Sequence, residues 1–395
     1  MHETIKPENT APPEDKDQDI RIRKGVSQSP DPVTAVRELH RAIYQPDSSL
    51  TLFYCSPEYD LEILGRELRQ RFGDTPLIGC TTAGEITPAG YLTGSLTGVT
   101  IASPHFRVAT ARIDNLSNFK LEDGENTAKS LMALLERRGE KLSALNSFGF
   151  LLVDGLSCRE EVVISSLSRK VGDIRIFGGS AGDGVRFQAT HLYHEGRFHQ
   201  DCALFSLVQT EHPFMVFKTQ HFIPSNQKMV VTEADPDRRV VSEINGLPAG
   251  QEYARMAGLA VDKLTPLIFS AYPVMVRIGD DYFVRSIQKV NDDESLTFFC
   301  AIDEGIVLTV AQGVDMVDNL HPLFAKVREK IGPPQLVLGC DCILRHMEMD
   351  QKHLKDRIVP ILIDNNVIGF STYGEQFNAM HVNQTFAGVA IGPRR

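Results

Sequence analysis

Residues 79–101 read GCTTAGEITPAGYLTGSLTGVTI and residues 369–391 read GFSTYGEQFNAMHVNQTFAGVAI. Both fit Gly-x-[Ser/Thr]-Thr-x-Gly-Glu, then twelve residues, then Gly-Val-x-Ile. The matched positions are Gly79, Thr81, Thr82, Gly84, Glu85, Gly98, Val99 and Ile101 against Gly369, Ser371, Thr372, Gly374, Glu375, Gly388, Val389 and Ile391. Eight positions in one register, offset by 290 residues, mark a duplication.

The flanking sequence extends the repeat. Before the first copy, SLTLFYCS is an apolar run that predicts a buried strand. PEYDLEILGRELRQRFG then carries Leu61, Leu64, Leu68 and Phe72 at helical spacing, with Pro57 as a start and Gly73 as a stop. PLIG is the next strand and leads into the glycine turn. The second copy has the same order: strand PQLVLGC, helix ILRHMEMDQKHLKDRIVPILID with a kink or end at Pro360, strand NVIG. A looser third copy lies between them, with strand SFGFLLVDG, helix REEVVISSLSRKVG, strand and turn IRIFGGSAGDG, and strand DCALFSLV. Hairpin-like strands fill the rest, among them THLYHEGRFHQDCALFSLV with Glu195-Gly196 as its turn. The fold class is mixed α/β, with duplicated strand–helix–strand units forming two sheet-containing subdomains.

The totals set limits. A chain of 395 residues suits about two domains. No run of about 18 apolar residues occurs, so no transmembrane helix is expected. The N-terminal segment is polar and proline-rich without an apolar stretch; it does not read as a signal peptide, and disorder is expected over residues 1–24. Seven scattered cysteines suggest reduced thiols and a cytoplasmic location. The net charge of −10 argues against a general nucleic-acid binder, which needs a basic face.

Several constellations bear on function. Glycine turns after strands, with hydroxyls and backbone N–H groups, suit an anionic ligand. If the two matching turns face each other across a pseudo-twofold axis, Thr81, Thr82, Glu85, Ser371, Thr372 and Glu375 line a shared pocket, together with Asn383 and Arg345. The alternative is that the turns only fix the fold. GGSAG at residues 178–182 matches a hydrolase nucleophile elbow, but a turn and strand follow instead of the helix that motif requires. Cys340, Cys342 and His346 in GCDCILRH are metal-ligand types, yet nothing completes a tetrahedral set. Twelve histidines are present. His221, in an apolar strand beside Phe222, and His381, between Met380 and Val382, are the candidates for a buried imidazole ligand. A hydrogen-bonded core role is the alternative for both. No nucleophile–base–orienter set can be assembled, so an enzyme is not expected.

IGCTTAGEI, FGGSAGDG and VIGFSTYGEQFNAMHVNQTFAGVAIG resemble the signatures of FIST domain proteins, which carry FIST N and FIST C segments. Cys342 and Arg345 in CDCILR look like the Cys-x-x-Arg of the C-terminal segment. The resemblance covers about residue 30 to the end. It implies a FIST N-like domain over 25–220, a FIST C-like domain over 221–395, and a sensory module for small ligands such as amino acids. KTQHF, SIQKVN and TFFCAIDEG are further similar to the NosP group. That similarity implies a haem-based nitric oxide sensor acting on a partner histidine kinase, with consequences for cyclic-di-GMP signalling and biofilm. Three classes follow as expectations: a haem gas sensor, a FIST sensor for an amino acid or other small anion, and a scaffold without a ligand. A homo-oligomer is possible on any of them.

Overall fold

A computed structural model describes residues 20–137 and 139–394. The expected disordered tail falls outside these residues over 1–19. Arg21–Lys24, by contrast, belong to the first strand, Arg21–Ser27, which pairs antiparallel with Leu96–Ala102.

The repeat occurs three times with one topology. The first unit runs through strand Arg21–Ser27, helix Pro32–Ile43, strand Leu50–Cys55, helix Leu61–Phe72, strand Leu77–Thr81, a short hairpin (Glu85–Thr87 and Gly90–Leu92) and strand Leu96–Ala102. The second unit repeats that order from Phe106–Asp114 to Cys202–Thr210, with the parallel pair Ser147–Val153 and Arg175–Ser180 and the hairpin Leu192–His194 and Arg197–His199. The third runs from Phe214–Thr219 to Phe386–Ile391, with the parallel pair Leu336–Cys342 and Val367–Thr372 and the hairpin Glu375–Phe377 and Met380–Val382.

Each hairpin leaves its own sheet and extends another. Glu85 and Ile86 of the first unit pair with Phe370 and Gly369 of the third. Glu375 of the third pairs with Gly179 of the second, and Leu192 of the second pairs with Cys80 of the first. The exchange closes a three-membered ring, where the sequence suggested a facing pair.

One glycine of the repeat has a steric cause. Gly369 lies opposite Gly339 in the parallel pair, and a Cβ there would sit 1.7 Å from the Gly339 carbonyl oxygen. Gly178 and Gly79, at the same place in the other units, would collide with the Leu151 and Phe53 oxygens at 1.8 and 2.4 Å. The inner faces of the three sheets share one core, in which Tyr54 stacks on Phe370 at 4.7 Å and Phe150 meets Phe177 at 5.0 Å. Each unit's helices cover its outer face through a separate apolar cluster.

Residues 222–313 form a body inserted between the first strand and first helix of the third unit. It has an eight-stranded antiparallel sheet and its own core around Tyr253, Phe269 and Phe298. The expected boundary between 220 and 221 thus falls inside the third unit, because Phe214–Thr219 pairs with Phe386–Ile391 at the other end of the chain.

Local details differ from the sequence reading. The helix expected from Pro57 begins at Leu61, because the Asp60 carboxylate caps the Glu62 and Ile63 amides at 3.0 Å. The helix expected over 343–364 is two helices, Ile343–Gln351 and Lys355–Asp364. The break is at His353, with φ of 52°, while Pro360 is accommodated inside the second. His221 lies in the link between two strands, not within one.

Candidate functional site

The three glycine turns sit at the carboxyl ends of the parallel strand pairs, the end where open α/β sheets generally receive ligands. They are laced together by backbone hydrogen bonds. Ala83 N donates to Ser371 O and Ser371 N to Gly84 O, at 3.0 and 2.7 Å. Tyr373 N donates to Ser180 O and Ser180 N to Gly374 O, at 3.3 and 2.9 Å. Gly182 N donates to Thr81 O and Thr81 N to His191 O, both at 3.0 Å. In the second unit residues 183–190 are inserted between turn and hairpin, so His191 and Leu192 take the places that Gly84 and Glu85 hold in the first.

The predicted pocket residues are therefore brought together, but as internal locks. Thr82 Oγ1 donates to Glu85 Oε1 at 2.6 Å, and Ser95 donates to Oε2 through N at 3.2 Å and Oγ at 2.7 Å. Thr372 Oγ1 donates to Glu375 Oε1, and Thr385 to Oε2 through N at 3.1 Å and Oγ1 at 2.7 Å. Both carboxyls are buried. Desolvation pushes Glu85 up to about 7 and Glu375 up to about 8, with the hydroxyl bonds pulling the other way. Thr81, Ser371 and Asn383 are buried as well and line none of the described cavities.

Arg345 lies in a second buried network. Its Nε donates to Asp341 Oδ1 at 2.6 Å, and Tyr91 OH donates to the other Asp341 oxygen. Arg345 Nη1 donates to His221 Nδ1 at 2.8 Å, and His221 Nε2 donates to Glu348 Oε2 at 2.8 Å. A guanidinium only donates, so the His221 proton sits on Nε2. Burial holds the His221 imidazole below its usual range, with Glu348 opposing. His381 has the same tautomer: Nδ1 accepts from Gln376 Nε2 at 3.0 Å and Nε2 donates to the Phe299 oxygen at 3.3 Å.

An axial haem ligand needs a free ring nitrogen facing a large apolar cavity. In both rings the accepting nitrogen is occupied, and none of the described cavities is lined by His221 or His381. These two residues do not fit haem. The metal candidates also diverge. Cys340 is in the central core, Cys342 packs with Phe299 and Tyr373, and His346 stacks on Tyr91 at 5.0 Å. Among the described residues, no three His, Cys, Asp or Glu side chains converge as a metal site.

What opens at the carboxyl ends is a cavity of about 430 Å³ in the second unit, lined by Asp154, Ser157, Arg159, Gln188, Thr190 and Asp201 among others. Asp154 is fixed by Thr190 Oγ1, Leu156 N at 3.0 Å and Asp201 N at 2.6 Å. Asp201 accepts from Ser117 N and Oγ at 2.9 and 2.6 Å. Among the described residues, the Arg159 guanidinium is held only by an outlying contact to exposed Asp237 at 3.7 Å. The next two residues are gripped by the inserted body: Arg239 Nη2 donates to Glu160 Oε2 at 2.6 Å and to Glu161 Oε2 at 2.7 Å, and Nη1 to the Phe299 oxygen at 2.7 Å. Burial alone would raise the Glu161 carboxyl, but the Arg239 guanidinium, always charged and 2.7 Å away, holds it below its usual range. The sequence reading missed this set. Asp154 closing an apolar strand was its only local signal.

The FIST N domain model matches residues 49–247 and the FIST C domain model residues 249–378. This chain belongs to the FIST family. FIST domains are sensory signal-transduction domains that bind small ligands. An uncharacterized protein of Methanocaldococcus jannaschii is 23% identical over 356 residues, covering 79% of this chain and 67% of that protein. Among the described residues, no helix is long and apolar enough to cross a membrane.

Proposed function

We propose that this FIST chain senses a small zwitterion of the amino-acid class, received in the 430 Å³ cavity of the second unit. The observation that carries the reading is one cavity lined both by a loosely paired guanidinium, Arg159, and by the fixed carboxylates of Asp154 and Asp201. A zwitterion needs that complement: a fork for its carboxylate and an acceptor for its ammonium. The volume is in the range of small-ligand sites. Transmission follows from the chain order, since any shift of Arg159 pulls on Glu160 and Glu161 and so on Arg239 of the inserted body. Differential binding then biases the position of that body.

A thermal-shift screen of the twenty standard amino acids tests this. A binder present at about 100 times its Kd stabilises by about 2.7 kcal/mol. Arg159→Ala is expected to abolish the shift without altering the unliganded melting temperature. No shift with any amino acid, or a shift that Arg159→Ala leaves intact, sinks the proposal. A hemin titration is the counter-test: stoichiometric retention with a Soret band that moves on adding nitric oxide would return the weight to a haem sensor.

A further inference from the structure

The hairpin exchange creates three equivalent seams, each with a hairpin tip lying over the helix of another unit. Two are closed by direct packing. In one, a Cβ on Gly90 would meet Val359 Cγ1 of helix Lys355–Asp364 at 2.7 Å. In another, Ser168 Oγ of helix Glu160–Val171 donates to Asn378 O at 2.7 Å. The third seam, between helix Leu61–Phe72 and the hairpin around Glu195-Gly196, is also in contact at its tip, where a Gly196 Cβ would meet Arg69 at 2.6 Å, but a cavity of about 600 Å³ lies beside that contact.

Arg66 and Arg69 come from the helix and Arg197 from the hairpin, with His191 at the back. Gly65 packs directly against the half-buried Phe198 ring, since a Cβ there would lie 3.3 Å from it, and Phe198 borders the cavity. One carboxylate, Glu62, also borders the cavity. Three guanidiniums against one carboxylate make a local positive site on a chain of net charge −10. Arg69 is tied by Nη1 to the Glu195 oxygen at 3.1 Å. The Arg66 and Arg197 guanidiniums have no hydrogen-bond or ion-pair partner among the described residues.

We infer that this seam is a second ligand site, taking a soluble aryl phosphomonoester or a similar dianion bearing an aromatic group. The phosphate suits the guanidiniums because it carries close to two negative charges near neutral pH and presents three acceptor oxygens, enough for three forks. The aromatic part has Phe198 and Leu61 of the cavity wall to pack against. The site is separate from the amino-acid cavity and its ligand is of another class, so the two readings stand or fall apart.

The test is calorimetric titration of the full chain with phenyl phosphate. The expected result is saturable one-to-one binding, tighter than that of inorganic phosphate or benzoate, and weakened at least about tenfold in Arg66→Ala/Arg197→Ala. The single variant Arg197→Glu should lose binding to a similar degree. Both replace exposed side chains, and an unchanged melting temperature verifies the fold. Amino-acid shifts at the other site should persist in both. No saturable binding, binding that both variants retain, or benzoate binding equal to phenyl phosphate would each overturn the inference. So would capture by phosphatidic acid vesicles in the absence of phenyl phosphate binding, which would make the source a lipid headgroup.

Discussion

The first and third units carry a Thr–Glu–Ser/Thr lock at their glycine turns, whereas the second, in the same topological place, has Ala181, Leu192 and Cys202. The pairings fix the equivalence, since Glu85, Glu375 and Leu192 each face a turn strand of another unit. A buried polar lock and an apolar contact thus serve the same junction. The second unit, free of a lock, instead has the inserted loop 183–190, the 430 Å³ cavity and the ion pair to the inserted body. Its loop is held by Asp183, whose carboxylate accepts from the Phe187, Gln188 and Ala189 amides. The lesson is that a self-satisfied carboxyl closes a turn, and the unit without one is where polar groups remain available.

Four measurements break or sharpen this contrast. The largest effect is expected for Arg239→Ala. It strips Glu160 and Glu161 of their buried cation and should cost about 3–5 kcal/mol in urea unfolding. A cost below about 1 kcal/mol would mean the ion pair does not hold the inserted body to the second unit.

Next is Glu375→Leu, which puts the second unit's residue type into the third. It leaves Thr372 Oγ1 and the Thr385 amide and hydroxyl without their acceptor, at about 3 kcal/mol. The triple change Thr372→Ala, Glu375→Leu, Thr385→Cys copies the second unit fully and removes two orphaned hydroxyls. It should be less destabilised than the single change. If it is worse, the equivalence of the three turns is only topological.

The third concerns pH. Glu85 and Glu375 titrate at about 7 and 8 when folded, above the usual 4.5, so the folded state keeps protons that the unfolded chain releases. Their contribution is full below about 4.5 and is lost as pH rises through 7 to 8. Buried histidines such as His221 and His381, held below 6.5, act in the opposite sense at lower pH. Between about pH 6.5 and 8.5 the unfolding free energy should therefore fall, and Glu375→Gln should flatten the upper part of that fall. A profile identical to that of the unmodified protein would show that Glu375 is not protonated when folded.

The smallest effect is Gly196→Ala, at about 1 kcal/mol. Gly196 has φ of +85°, and a Cβ there would press within 2.6 Å of Arg69 Cδ. Gly73→Ala, also at positive φ but with nothing within 4 Å, should cost less. Equal costs would mean the hairpin tip can yield to a larger residue.

Much of the framework was legible in the chain itself. The paired motifs marked the repeat because two copies kept the same Thr, Gly and Glu for the same internal lock. Apolar runs and 3.6-residue spacing marked the strands and helices around them, and Glu195-Gly196 marked a hairpin turn that the backbone confirms with positive φ at both residues. The third copy was faint because its lock residues are apolar, so spacing alone suggested a pair.

The partners of each repeat were decided only in three dimensions. Which sheet a hairpin joins depends on strand pairing between residues far apart in the chain, such as Glu85 and Phe370, and local pattern does not encode that choice. For the same reason the sequence proposed Glu85 and Glu375 as pocket residues, while the structure satisfies them internally. Arg239 gave no sequence signal, because its two carboxylate partners lie 79 and 78 positions away. The sequence by itself determined the repeating units and their turn chemistry, through residue types that act on near neighbours. The tertiary structure determined which polar groups are buried with partners and which face a cavity, because burial and charge pairing are properties of the closed ring.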